Sequence, residues 1–449
     1  MCVNQKVKTI LLIVINYFCL VCFTYFVFIG FPLWNGFFYL MFLNYKYNVI
    51  VTMFPIFIVI ESLFQTFGFI MHRRCKTTKS IVHNDIALII PCHNSEGVIG
   101  KTLECAGYHF KSSEIFVMDN GRSLTPTDKT PLICVELGVN YKYVPIPNKL
   151  TAIYEGIKLA KDFDKVVQID DDVLLPKELE MKDDVDCIAF TIGATNTSGE
   201  MKLIQRFQDI EYKTAGIINA FGGKYGSALF PHGAVSLWRR DRLQMIIERH
   251  PMYPISEDWF VGYIANDIGC RIIFKDNVFV LTDVPDTYFG SIISRTSGYG
   301  SNSLWNQRFR RWNRLVLLQT AYLVFRIFCK WTMKRGILRE LIFKLNCCWI
   351  VIYTVLVIFR YVLLAYNLIF TPLWTCLMYA IDTVINMINI LIVNYYHLKK
   401  EERQPLYVVL LYQFYKIYDI FVMIVSCVHS YLFYLPIMLA QPRYKLGKK

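Results

Sequence analysis

From Thr9 to Tyr45 the chain carries no charged residue. About 20 apolar residues are enough for a helix to cross the hydrocarbon core of a bilayer, so this stretch constrains the fold more than any other. Pro32, Asn35 and Gly36 interrupt it, which places one span at about 9–31 and an exit turn around 32–46. A second span is expected at about 49–71, with Glu61 as its one charge. An acid inside a membrane is either functional or paired with a neighbouring helix. A cleaved signal peptide is the alternative for the first segment, but the apolar stretch is too long, lacks a small-residue cleavage site and is followed by another span. Lys6 and Lys8 precede the pair and His72-Arg73-Arg74-Cys75-Lys76 closes it, so the positive-inside rule puts both ends in the cytosol.

The rest of the chain supports a membrane protein. Hydrophobic residues make up 55% and charged residues 18%, against about 25% charged in ordinary globular domains, and the mean hydropathy is +0.36. Disordered and collagen-like chains are excluded by 16% aromatics. The net charge of +13 fits an anionic partner or an anionic membrane face. The 14 cysteines are spread too thinly for a disulfide scaffold, and Cys19-Leu-Val-Cys22 lies in a lipid-facing run. The glycosylation sequon Asn196-Thr197-Ser198 falls on the cytosolic side, where it is not used.

Towards the C-terminus, residues 346–369 and 373–396 read as two spans joined at Pro372 and returning to the run Lys399-Lys400-Glu401-Glu402-Arg403. Residues 406–440 form either one span or a short helical pair. The pair is the expected form, because it keeps Arg443, Lys445, Lys448 and Lys449 inside, with Lys416 and Asp419 near its bend. Residues 315–344 mix apolar stretches with Arg326, Lys330, Lys334, Arg335, Arg339 and Lys344, the composition of helices lying in the interface plane. The expected organisation is two spans in 1–76, a cytosolic domain in 77–300, interfacial helices in 301–345 and C-terminal spans in 346–449.

The cytosolic part alternates strand and helix signals. Asp85–Pro91, Glu114–Asp119, Tyr141–Ile146 and Lys165–Ile169 are apolar runs of strand length, and helices are expected at about 96–106, 149–161 and 257–268. Such alternation implies a mixed, mostly parallel sheet covered by helices. Ligands then bind beyond the carboxyl ends of the strands. Three acids, Asp170-Asp171-Asp172, stand at the end of the fourth strand. On an extended chain residues 170 and 172 point the same way, and hard oxygen ligands suit Mg²⁺ or Mn²⁺ shared with a diphosphate. A solvated acidic turn is the competing reading. Lys149 opens a helix, where its ammonium and the helix N-terminus can face phosphate, or it is a surface lysine. In Ser256-Glu257-Asp258-Trp259-Phe260, Ser256 is expected to cap the next helix, while Asp258 is a candidate general base. In Gln307-Arg308-Phe309-Arg310-Arg311-Trp312, Arg308 and Trp312 are four apart and share a helical face. That suits gripping a diphosphate beside an aromatic ring, or a plain basic interfacial helix.

Taken in order, a strand-end Asp119, the D-x-D of 170–172, Glu257-Asp258 and R-x-x-R-W over 308–312, flanked by spans, resemble the membrane-embedded family-two glycosyltransferases. These are the hyaluronan, chitin and cellulose synthases and the ceramide glucosyltransferases. The resemblance implies a GT-A α/β domain. It also implies that Asn94, Glu96 and Asp119 contact uridine, that Lys149, Arg308 and Arg311 lie near the diphosphate, and that Asp170 and Asp172 hold nucleotide and metal. By the same resemblance Asp258 is the catalytic base, and His232, Gly233, Glu257 and Trp312 meet the acceptor. Two departures matter: Arg308 stands where the synthases write Gln, as in ceramide glucosyltransferases, and the C-terminal gating motif of hyaluronan synthases is absent.

The expected reaction is an inverting, Mg²⁺- or Mn²⁺-dependent transfer from UDP-GlcNAc, UDP-Glc or UDP-GlcA to a growing glycan that leaves through the protein's own spans. The first alternative keeps the chemistry with a ceramide-type lipid acceptor. A second makes the chain a transporter or scaffold with a degenerate nucleotide site. Membrane lipids are expected partners and nucleic acid is not, because the basic residues cluster at membrane flanks.

Overall fold

The computed structural model describes residues 49–75, 85–181, 185–253, 255–289 and 303–440. The expected span at 9–31, its exit turn and the basic tail after 440 lie outside the described residues. Helix α1 (Val49–Met71) occupies the second expected span. The alternating half follows as β1 (Ile86–Cys92), α2 (Ile99–Ala106), β2 (Ile115–Asn120), α3 (Thr130–Glu136), β3 (Asn140–Val144), α4 (Lys149–Leu159) and β4 (Lys165–Ile169). All of β1 is buried. Ala87 and Ile89 pack into the core on one face of the sheet, and Ile86, Leu88 and Ile90 into the core on the other. Burial on both faces is why the strand reads as an unbroken apolar run.

The chain continues through β5 (Val173–Leu174), β6 (Cys187–Thr195), α5 (Leu203–Tyr225), β7 (Val235–Arg239), α6 (Arg240–Arg249), α7 (Glu257–Asp267) and β8 (Ile272–Asp283). The eight strands form one sheet in the order β3-β2-β1-β4-β7-β6-β8-β5. β1, β2, β3 and β4 are parallel, β7 runs antiparallel to β4 and β6, and β8 runs parallel to β6. A register break between Phe190 and Ile192 irregularises the β6–β8 pair, and the last residues of β8 pair with β5. Thus the end of β8 buttresses the segment that follows β4.

Helix α5 has no counterpart among the expected elements. Its Gly216, Gly222 and Gly223 weaken the helical signal. Two of them are needed because the helix lies close on the sheet. A Cβ at Gly216 would come within 2.8 Å of the Thr191 side chain, and one at Gly223 within 3.1 Å of the Ile273 backbone.

Beyond the sheet come α8 (Leu304–Gln307), a π-turn over Arg308–Trp312, α9 (Val316–Cys329), α10 (Ile337–Phe370), α11 (Pro372–Leu391), α12 (Leu406–His429), a second π-turn over Ser430–Tyr434 and α13 (Leu435–Ala440). Among the described residues, four helical stretches are long and apolar enough to cross a membrane: Phe54–Met71, Ile337–Ile369, Pro372–His397 and Leu406–Ala440. The last part of the segment expected to be interfacial belongs to α10, which starts at Ile337 and takes in Arg339 and Lys344. The charges at its start are matched locally: Arg335 pairs with Glu340 at 2.7 Å, and Lys344 Nζ donates to the carbonyls of Arg326 and Ile327 at the end of α9. Likewise residues 406–440 are one continuous helical stretch, not a bent pair. Lys416 donates to Asn386 Oδ1 at 2.8 Å and Asp419 lies 3.7 Å from Arg308, so these charges are met in place and demand no bend.

Candidate active site

β4 stops at Ile169, and Asp170 N still donates to Ala234 O of the neighbouring segment. The chain then turns, with Val173 N donating to Asp170 O. This turn overrides the extended alternation expected over 170–172, and the three carboxylates take different partners. Asp170 Oδ1 lies 2.6 Å from Lys149 Nζ. Asp171 accepts from the Ser95 hydroxyl, while Thr102 Oγ1 donates to its carbonyl at 2.7 Å. Asp172 accepts from Thr282 Oγ1 at 3.4 Å, and its other oxygen is buried with no hydrogen-bond partner among the described residues. Burial pushes the Asp171 carboxyl up to about 6 against the Ser95 hydrogen bond. Burial, then Asp171 and Asp170, drive Asp172 well above the carboxylate range.

Lys149 joins this turn to a second group of acids. Asn148 caps α4, accepting from Thr151 N through its side chain. That fixes the start of the helix and sends Lys149 across the pocket, where Nζ also lies 3.1 Å from Glu257 Oε1. Ser256 does not cap α7: it sits in the left-handed region at φ 56 and makes no side-chain cap bond. Of the non-glycine residues with positive φ among those described (Asn94, Met252 and Ser256), Asn94 stands in the loop after β1 and Ser256 directly before Glu257. Strain of this kind concentrates at functional sites.

The Asp258 carboxylate accepts from Gly233 N at 3.2 Å and from Trp259 N at 2.8 Å. Glycine eases the first approach, since a Cβ at 233 would stand 3.2 Å from Asp258 Oδ2, tighter than ordinary contact. Burial pushes the Asp258 carboxyl up to about 7; Glu257 and Asp170 add to this, and Lys149 opposes it. For Glu257 burial is outweighed by Lys149, a backbone N–H and Arg311, which together hold it below its ordinary value.

The R-x-x-R-W segment divides between two surfaces. Arg311 is close enough for its charge to act on Glu257. Arg308 is turned away: its Nη2 lies 2.6 Å from Glu211 Oε2 on α5 and 3.3 Å from Tyr415 Oη on α12. Arg308 and Trp312 do share a face, with the guanidinium 3.9 Å from the ring centroid. The expectation that Arg308 grips a diphosphate is not what its partners show, because Glu211 holds its charge.

The remaining expected residues line the rim. Asn94 accepts from Thr127 Oγ1 at 2.6 Å and Glu96 accepts from Lys129 N at 2.9 Å, so both tie the loop after β1 to the loop before α3. Asp119 ends β2, buried, and accepts from Tyr141 Oη at 2.8 Å; burial raises its pKa. His232 packs edge-on to Phe274 with ring centroids 5.2 Å apart, and burial lowers its pKa to about 4. Sequence reasoning missed Ser95, Thr282, Glu211 and Tyr212. Ser95 stood within the polar stretch after β1, whereas nothing in the sequence marks the others.

Residues 83–301 match the family model described as Glycosyltransferase like family 2. They form a family 2 glycosyltransferase domain. The enzyme class is therefore nucleotide-sugar glycosyltransferase, on a GT-A-like mixed sheet. No curated protein matches the sequence. Among solved structures, the mannosyltransferase PcManGT from Pyrobaculum calidifontis, in complex with GDP-Man and Mn²⁺, is 14% identical at a TM-score of 0.53, covering 86% of this chain and 97% of its own. At that identity the likeness is one of fold. S. aureus TarS 1–349 in complex with UDP is 13% identical at a TM-score of 0.37, with 77% of this chain and 90% of that 1–349 chain covered. Among the described residues, three helices long enough to span a membrane follow the glycosyltransferase domain, and α1 precedes it.

Proposed function

We propose that this glycosyltransferase catalyses an inverting, metal-dependent transfer from a UDP-linked sugar, with its pocket facing the cytosol. The observation that carries this is Lys149, which stands 2.6 Å from Asp170 and 3.1 Å from Glu257 and so draws the acids after β4 and the acids opening α7 into one pocket. Asp258 is the base. A carboxyl pushed up to about 7 is matched to taking a proton at neutral pH, and Gly233 N–H orients it. It removes the proton of the acceptor hydroxyl, whose oxygen attacks the anomeric carbon from the face opposite the diphosphate. Lys149 and Arg311 supply positive charge on the leaving-group side, and Asp119 at the end of β2 meets the base of the nucleotide, with Asn94 and Glu96 holding the adjoining loop.

A divalent cation fits the acids of the turn. Asp172 keeps one buried oxygen without a partner, and carboxylate oxygens suit Mg²⁺ or Mn²⁺. No group of three or more His, Cys, Asp or Glu among the described residues could hold a metal by itself, so the ion would be shared between Asp170, Asp172 and the donor's diphosphate. When bound it neutralises charge on the leaving diphosphate. Trp312, exposed and next to Arg311 on the π-turn, would stack on the acceptor, with His232 and Gly233 lining the same approach.

The cytosolic orientation is supported by Arg74 at the end of α1, which pairs at 2.6 Å with Glu402 in the basic turn between α11 and α12. The positive-inside rule assigns that side to the cytosol. We take the acceptor to be a growing glycan that leaves between the spans. A membrane-lipid acceptor is a second reading, favoured by the state of the polar groups between the helices. Asp382, Arg360, Ser62, Asn386 and Lys416 bond one another rather than line a path. Incubating the purified protein with radiolabelled UDP-GlcNAc, UDP-glucose and UDP-glucuronic acid, with Mg²⁺ or Mn²⁺, tests both. Label in macromolecular product supports the first, label only in lipid extracts the second, and no label in either overturns the transfer itself.

A further inference from the structure

Trp312 is 38% exposed, so burial alone does not hold its ring. Two neighbours do. The Arg308 guanidinium lies 3.9 Å from the ring centroid, and Tyr212 lies 5.7 Å away at 31°. A guanidinium can lie flat on an indole only while its own plane is fixed, and a planar fork is fixed best by a carboxylate. Glu211, the residue before Tyr212 on α5, provides one. Its Oε2 lies 2.6 Å from Arg308 Nη2 and accepts from Tyr415 Oη of α12 at 2.7 Å. Asp419, at 3.7 Å from Arg308 Nε, is too far to do the same alone. The π-turn carrying both residues is also tied to the last spanning stretch, since Ser426 Oγ donates to Phe309 O at 2.6 Å and the Ser430 hydroxyl to Arg314 O.

We propose that Glu211 is a positioning residue for the acceptor step: through Arg308 it fixes the plane of the Trp312 ring at the entrance to the pocket, and through Tyr415 it registers that entrance against the last spanning helix. The proposal rests on reading Trp312 as an acceptor contact. It differs from that reading in assigning a role to a residue that touches neither donor nor acceptor and belongs to none of the sequence motifs.

The test uses the full-length protein in detergent, with UDP-GlcNAc, UDP-glucose or UDP-glucuronic acid as donor. Free N-acetylglucosamine, or ceramide in mixed micelles, is the varied acceptor. Glu211→Gln keeps the shape and removes the charge, and is expected to raise the acceptor KM about tenfold, the scale of a lost hydrogen bond to a charged group, with the donor KM unchanged. Glu211→Asp restores the carboxylate and is expected to recover part of the loss. Should Glu211→Gln not fold, Arg308→Lys carries the same expectation, because it keeps the positive charge but not the flat guanidinium. An unchanged acceptor KM overturns the proposal. So does a parallel rise in both Michaelis constants with a lowered thermal midpoint and no recovery by Asp, which would make Glu211 a structural prop. Trp312→Ala separates the two levels. If it leaves the acceptor KM unchanged, the acceptor reading falls and takes this proposal with it. If it raises the acceptor KM while Glu211→Gln and Arg308→Lys do not, only the present proposal is overturned.

Discussion

The pocket and the helices between the spans use the same charged residue types and reach opposite balances. In the pocket Asp170, Glu257 and Asp258 gather around Lys149, with Asp172 close to Asp170 and Arg311 acting from the π-turn. Acids outnumber cations, one oxygen of Asp172 is left without a partner, and burial drives Asp258 up to about 7. Between the spans, Asp382 meets Arg360 at 2.6 Å and the Ser62 hydroxyl at 2.5 Å, Asn386 bonds Asp382, Ser62 and Lys416, and Glu61 is close enough for its charge to act on Lys416. An excess of negative charge in a closed site is what a metal-bound diphosphate and a neutral-pH base require. A matched set, by contrast, has no charge left for a ligand and serves to hold helices in register. The arrangement of counter-charges, not the residue types, separates a reactive site from a structural one.

The comparison can be broken most sharply at Asp258. Asp258→Asn is expected to lower turnover by about 10²–10⁴, the usual contribution of a general base, while UDP-sugar binding measured by calorimetry is retained. Loss of binding would place Asp258 with the donor. In the matched set, Arg360→Met leaves Asp382 facing an apolar side chain and is expected to destabilise the protein by about 3–5 kcal/mol. Arg360→Met with Asp382→Leu is expected to recover most of this, read as the thermal midpoint in detergent. If the double variant loses activity while keeping its midpoint, the matched set does more than hold the helices.

A third measurement is the pH profile of kcat/KM. As the proposed base, Asp258 would act only when ionised, and burial raises its carboxyl to about 7, so the rate should fall as pH drops through 7 and level off above it. Asp258→Asn should lose that limb. The smallest effect is expected from Thr282→Val, which removes the 3.4 Å contact to Asp172. A net hydrogen bond is worth about 0.5–1.5 kcal/mol, so the donor KM should rise a few-fold with kcat little changed.

Much of the domain was legible before any coordinates. β1, β2 and β4 stand within about a residue of their expected positions because both faces of those strands are buried, and an unbroken apolar run between polar loops has few other uses. The D-x-D, Glu257-Asp258 and R-x-x-R-W segments were found because acids and bases beside apolar elements are conspicuous. What misled was local geometry extended too far. Asp170 and Asp172 were expected to point together on an extended chain, but the turn closed by Val173 N and Asp170 O gives them different partners. Ser256 looked like a cap and is not one. The glycines of α5 hid a helix whose purpose is to lie close on the sheet, and with it Glu211 and Tyr212 went unnoticed.

From its residues alone this chain determined where it is apolar enough to span a membrane, which strands are buried on both faces, and which polar groups follow them. Those properties depend on composition and short-range periodicity, and a linear reading captures both. Only the tertiary structure decided which charge answers which. Lys149 bridging residues 170 and 257, and Arg308 turning to Glu211 rather than to the pocket, are contacts between segments about 20 to 100 positions apart. Electrostatic pairing falls off with distance in space, not along the chain, so no reading of the sequence contains it.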